Sequence, residues 1–199
     1  NNWIFILMTN RMIRFFDILI SILILIIFFP FIFLIALLIL LIDGSPIIYK
    51  QSRVGYMGKQ FLIFKFRTMS NLISKNENFR VTPLGKILRK TSLDELPQLI
   101  NILKKEMSIV GPRPLPKNIE KKIDQYDRIK RRKILPGITG MSQINYDGRY
   151  RKLTKKIKLD LYFIENYNLY NYFKILSKTP IVLIIRFFKN KSSIIKYSF

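Results

Sequence analysis

Asp94 and Glu95 are the only adjacent acidic residues in a chain that carries 35 Lys and Arg against 12 Asp and Glu. The chain has no histidine and no cysteine, which removes the commonest general base and the thiolate nucleophile together. Chemistry near neutral pH therefore falls to carboxylates with cations around them. Downstream, Gly111 leads into Pro112-Arg113-Pro114, and a planar guanidinium held in a stiff turn suits a phosphate ligand. The composition argues against a structural zinc site. A hard cation held by carboxylate and phosphate oxygens fits what remains. A second reading of the acidic pair is structural. Ser92-Leu93-Asp94-Glu95 matches a capping box, Leu96, Leu99, Ile100 and Leu103 keep helical spacing behind it, and acidic residues stabilise the first turn of a helix through its dipole.

The elements that must position these residues divide into an apolar N-terminal part and a basic remainder. At 199 residues the chain fits one domain plus a membrane element. The formal net charge of +23 admits three readings: nucleic-acid binding, drift from an AT-rich genome, or a surface lying against anionic lipid. In the last, each basic residue near the headgroups contributes roughly 1 kcal/mol.

From Ile18 to Ile42 no residue is charged, and only Ser21 and Pro30 interrupt the apolar run. A helix of that length reaches roughly 37 Å, enough to cross a ~30 Å hydrocarbon core with tilt. A spanning helix is one reading. Pro30, central in the run, removes a backbone donor and crowds the turn before it, which predicts a kink. Arg11 and Arg14 precede the run and Lys50, Arg53 and Lys59 follow it. Positive flanks favour the cytoplasmic side, so a helix that enters, bends at Pro30 and returns satisfies both ends. A cleaved signal peptide is disfavoured by the length of the run. Met8 is a candidate true start, and a fragment is the alternative.

Beyond it, Asp43-Gly44-Ser45-Pro46 is turn chemistry. Ile47 to Lys50 and Phe61 to Phe66, separated by Gly55 and Gly58, predict a β-hairpin, with Lys65 and Arg67 on one face of its second strand and Phe64 and Phe66 on the other. Leu72 to Val81 predicts a polar loop. Thr82-Pro83 predicts a helix start, with Lys86, Arg89 and Lys90 following. Lys117 to Lys133 predicts a charged helical stretch, and the glycines of Pro136-Gly137-Ile138-Thr139-Gly140 allow close backbone approach to a ligand. Asp160 to Phe173 and Ile181 to Phe188 suit interfacial amphipathic helices or core packing equally. The predicted fold class is mainly α with a small β-hairpin. Its parts are a membrane element at 1–43, a compact cytoplasmic domain at 44–175, and a basic and apolar interfacial tail at 176–199.

Four stretches, FKFRTMS (Phe64 to Ser70), SLDELPQLINIL (Ser92 to Leu103), MSIVGPRP (Met107 to Pro114) and PGITGMSQIN (Pro136 to Asn145), together resemble the bacterial sugar transferase family, the monotopic polyprenyl-phosphate phosphoglycosyl transferases. The resemblance covers about Arg11 to Phe173. It implies transfer of a phosphosugar from a UDP-sugar donor to a polyprenyl (undecaprenyl) phosphate acceptor with Mg2+, the first membrane step of surface glycan assembly. By the same resemblance Asp94 is the nucleophile forming an aspartyl-phosphosugar intermediate, and Glu95 is catalytic and holds the metal. Lys65, Arg89, Arg113 and Gln143 bind substrate, and the membrane segment is re-entrant with its bend at Pro30. The implied setting is the bacterial plasma membrane, with the catalytic domain on its cytoplasmic face and no nucleic-acid partner. This chain differs from the family pattern at Phe29, where serine is usual, at Leu135, where a basic residue is usual, and at Tyr146-Asp147 before Gly148-Arg149. Two rival readings are a membrane-tethered basic module binding nucleic acid or anionic lipid without catalysis, and an inactive relative of the family.

Overall fold

In the computed structural model the described residues are 2–70, 81–145 and 152–188, with side chains described from residue 9. The apolar run forms one helix, α1 (Asn2–Leu38), which continues through Pro30 and closes in a wider turn at Ile39–Asp43. The last carbonyls of a helix have no partners within it. Here the Arg67 guanidinium donates to the carbonyls of Asp43, Gly44 and Ser45. Arg67 therefore caps the end of the long apolar helix, and Lys65 alone of the two strand cations reaches the acidic pair.

Strands β1 (Ile48–Val54) and β2 (Gln60–Phe66) pair antiparallel, with Tyr49 opposite Lys65 and Arg53 opposite Phe61. Helix α2 (Pro83–Thr91) starts as its sequence predicts: Thr82 Oγ1 accepts from the Gly85 N–H at 3.0 Å, with Pro83 in the first turn. Gly85 must be small, since a Cβ there would lie 2.2 Å from the Thr68 carbonyl oxygen. The predicted loop Leu72 to Val81 lies, but for Val81, outside the described residues, as do Tyr146-Asp147 and Gly148-Arg149.

A tight turn at Leu93–Glu95 leads to α3 (Gln98–Leu103), followed by β3 (Ser108–Val110), α4 (Lys117–Glu120), α5 (Gln125–Arg131), β4 (Gly137–Thr139), α6 (Met141–Ile144), α7 (Leu153–Glu165) and α8 (Leu169–Phe188). The structure refines three points that the sequence leaves coarse. The charged stretch Lys117 to Lys133 is two short helices, because Asp124 caps a fresh start at the Tyr126 N–H. The segment Asp160 to Phe173 breaks between α7 and α8, and its Asp160, Phe163 and Tyr172 are buried, so packing rather than an interface claims them. Besides the hairpin there is a second, separate sheet, the parallel pair β3 with β4.

That pair explains the glycines of the Pro136–Gly140 turn. A Cβ on Gly137 would stand 2.0 Å from the Gly111 nitrogen, and one on Gly140 would stand 2.1 Å from the Gly111 oxygen. The close approach is backbone to backbone, and it fixes the chain just before Arg113. One apolar core joins Ile13 of α1 to Ile63, Leu99, Ile102, Met107, Phe163 and Tyr172. A second joins Ile35 of α1 and Ile39 of the turn that closes it to Phe66 and Leu88. Between these two anchorages the helix is exposed on every side from Ile26 to Phe31.

Candidate active site: a buried acidic pair among cations

Ser92 adopts a left-handed conformation (φ 60°), which ends α2. Its side chain makes no cap, and α3 begins only at Gln98 after Pro97. The capping-box expectation is thereby corrected: the turn at Leu93–Glu95 is held by its flanks and presents two carboxylates inward. Asp94 is 8% exposed. Glu95 Oε1 accepts from Lys65 Nζ at 2.6 Å and from Arg113 Nη2 at 3.0 Å.

Each cation is delivered by a supported element. Lys65 rides on β2, and the fully buried Asn101 on α3 sets the distance between them. Its Oδ1 accepts from the Phe64 N–H at 3.1 Å, and its Nδ2 donates to the Leu62 carbonyl at 2.7 Å. Arg113 follows β3, and two guanidiniums hold its backbone. Arg131 Nη2 donates to the Arg113 carbonyl at 2.9 Å and Arg53 Nη1 to that of Pro114 at 3.3 Å. Arg131 is itself paired with the buried Asp160 at 3.0 Å. Arg89, in the last turn of α2, donates from Nε to Thr68 Oγ1 at 2.8 Å and favours the charged form of Asp94.

The two carboxylates are driven apart. Burial, and after it the charge of Glu95, raises the Asp94 pKa against the opposing pull of Lys65, Arg89 and Arg113. Burial works to raise Glu95 too, but Lys65 and Arg113 together outweigh it and hold that carboxyl well below the usual range. A full helix dipole beneath Asp94 would have lowered its pKa; a three-residue turn supplies little of one. Glu95 is thus a fixed anion and Asp94 the group whose charge responds to what enters the site.

The structure brings together Lys65, Arg89, Asp94, Glu95 and Arg113. Gln143 lies in the β4–α6 corner, where its Nε2 donates to the Ile138 carbonyl at 2.9 Å. Pro30 lies in α1. Arg53, by sequence a positive flank of the apolar run, is a site residue: burial and then the neighbouring Arg113 push its pKa down to about 10, and it also feels Glu95. Strand alternation is the signal that finds it. Tyr49 is cross-strand from Lys65, so Gln51 and Arg53 share that face. Among the described residues no cluster of three acidic side chains exists. Two carboxylates completed by substrate phosphates and water are nonetheless an ordinary Mg2+ arrangement. Lys65 and Arg113 both approach Glu95 Oε1, so Oε2 and the Asp94 carboxylate are the oxygens that fit.

The model of the bacterial sugar transferase family matches residues 8–186. The chain is 42% identical over 147 residues to the sugar transferase EpsL of Bacillus subtilis, covering 68% of this chain and 69% of that one. It is 38% identical to the UDP-glucose:undecaprenyl-phosphate glucose-1-phosphate transferase of Klebsiella pneumoniae, over 89% of this chain but 40% of that protein. It is 37% identical to the exopolysaccharide production protein ExoY of Sinorhizobium fredii, over 87% and 86%. These relatives give no support to a non-catalytic basic module. With its motifs on one constellation and the family model matched from Met8 to Arg186, the chain belongs to the bacterial sugar transferase family.

Proposed function

We propose that this chain moves a phosphosugar from a UDP-sugar to a polyprenyl phosphate at the cytoplasmic face of a bacterial plasma membrane, through an aspartyl-phosphosugar intermediate. The observation that carries this reading is the balance of charge at the pair. Four cations, Lys65, Arg89, Arg113 and Arg53, surround two carboxylates, and the surplus suits a donor diphosphate. Relatives named as UDP-sugar:undecaprenyl-phosphate sugar-phosphate transferases act on those substrates.

The donor diphosphate lies along Arg113 and Arg53, with Lys65 and Arg89 nearer Asp94. An Asp94 oxygen attacks the sugar-bearing phosphorus, the bond from that phosphorus to the UMP oxygen breaks, and UMP departs with the bonding electrons. A phosphate oxygen of the polyprenyl acceptor then attacks the same phosphorus, and the Asp94–phosphorus bond breaks to regenerate the carboxylate. Two displacements let a soluble donor and a lipid acceptor use one site in turn. Mg2+ held by Glu95 beside Asp94 would neutralise charge developing on the leaving nucleotide.

The helix Thr9–Asp43 is long and apolar enough to cross a membrane. Re-entrance is supported by where its two arms are fastened. Arg14 donates to the carbonyls of Ile102 and Leu103 at the end of α3, while Asp43 Oδ2 accepts from Thr82 Oγ1 at 2.9 Å. A helix fastened at both ends to one body does not deliver them to opposite faces. The exposed Ile26–Phe31 segment is the part left for lipid. The reading is tested by assaying UMP release from a panel of UDP-sugars, with Asp94→Asn beside the native chain. Release with one donor, abolished by the substitution, is expected; release that survives Asp94→Asn overturns it.

A further inference from the structure

Asp17 is an acidic residue on the first arm of a membrane helix, one residue before the uncharged run begins. It is 1% exposed. Three donors converge on its Oδ1: the Ile109 N–H at 2.8 Å, Ser108 Oγ at 3.1 Å and Tyr172 OH at 2.7 Å. Two of these belong to β3 and the third to α8. Oδ2 is shielded from solvent and has no protein partner among the described residues. One turn earlier, Arg14 Nη2 donates to the Ile102 carbonyl at 2.5 Å. One turn later, Ser21 is fully buried on the same face. Carboxylate acceptors make hydrogen bonds about twice as strong as neutral ones, and a carboxylate stripped of its donors is costly at membrane depth. This arm is therefore stable chiefly where β3 meets it.

β3 ends at Val110, and the chain it leads into is Gly111-Pro112-Arg113. We propose that Asp17 is a latch between the membrane helix and the catalytic strand, a positioning residue through which seating of the N-terminal arm and alignment of Arg113 against Glu95 become one equilibrium. The proposal rests on the re-entrant transferase reading above. An isosteric Asn places one oxygen before the three donors but buries an amide where Oδ2 stood, with nothing to accept from it.

The absence of cysteine makes a single introduced thiol a clean reporter. In the full chain in nanodiscs, Ser21→Cys is shielded while the latch is closed, and Ser142→Cys, in a buried site on α6, reports global unfolding. Adding Asp17→Asn is expected to speed maleimide labelling at position 21 by about tenfold or more. Labelling at 142 is expected to stay slow. In the cysteine-free chain the same substitution raises the KM for the UDP-sugar by a similar factor. Tyr172→Phe, which removes one donor of three, gives an intermediate shift in both. Unchanged labelling at 21, or faster labelling with unchanged KM in both variants, overturns the latch. An Asn10→Cys chain labelled from outside intact cells overturns the re-entrant reading and the latch with it. Labelling of Asn10→Cys from the cytoplasmic side alone confines any failure to the latch.

Discussion

The Arg131–Asp160 pair allows a prediction whose size follows from burial. The two side chains are 6% and 3% exposed, and Nε and Nη2 of Arg131 both donate to Asp160 Oδ2, at 3.2 and 3.0 Å. Asp160→Asn leaves a buried guanidinium without its counter-charge, and breaking a buried pair in this way costs about 3–5 kcal/mol. Removing both charges together, as Arg131→Met with Asp160→Leu, recovers most of that loss, since buried pairs replaced by apolar residues of similar volume are often near neutral. The assay is urea denaturation in detergent micelles, run as a double-mutant cycle. The double variant is expected to be stable and still impaired, because Arg131 also donates to the Arg113 carbonyl. Its KM for the donor rises by about tenfold, one hydrogen bond's worth. A loss below about 1 kcal/mol for Asp160→Asn, or a double variant no more stable than the single, would show that the pair does not hold this part of the fold.

The raised Asp94 pKa has two consequences with defined sign. A protonated carboxyl is no nucleophile, so the rate of UMP release falls with decreasing pH along a limb lying above the ordinary carboxylate range, as a pH–rate profile will show. A carboxyl whose pKa is raised on folding stabilises the fold in acid and loses that contribution as pH rises through the folded value. Asp94→Asn escapes this loss, so the inactive variant unfolds at higher urea than the native chain at pH 8, and the difference shrinks towards pH 5. Glu95→Gln leaves Lys65 and Arg113 facing each other without their shared anion. It is expected to lower stability by about 3 kcal/mol in the same denaturation assay and to weaken the Mg2+ dependence of turnover. Arg113→Lys keeps the charge but loses the planar fork, and a donor KM raised by about tenfold with kcat less affected is expected in steady-state assays.

Local signals carried the parts of the fold that are local. Thr82-Pro83 starts a helix because a hydroxyl acceptor and a fixed φ act within one turn, and the glycines between two aromatic runs place the hairpin. The parallel pair of β3 and β4 was not legible, because three residues show no period and the partners lie far apart in sequence. Ser92 departs from its sequence pattern for a different reason. A capping box and a left-handed stop share the same residue type, and only the course of the backbone separates them. At the site, the acidic pair and its cations stood in recognisable motifs. Their supports did not, since Asn101, Arg131, Asp160 and Asp17 act across long sequence separations that no pattern within one element encodes.

Covalent capture of the phosphosugar by Asp94, as proposed, is read by intact-protein mass spectrometry. The purified full chain is incubated with Mg2+ and the UDP-sugar that supports UMP release, without acceptor, and then digested to locate any adduct. The expected result is a mass gain of one phosphosugar on the peptide containing Asp94, lost on adding polyprenyl phosphate and absent from Asp94→Asn. An active enzyme that releases UMP only when the acceptor is present, with no adduct on Asp94 at any time, would contradict it.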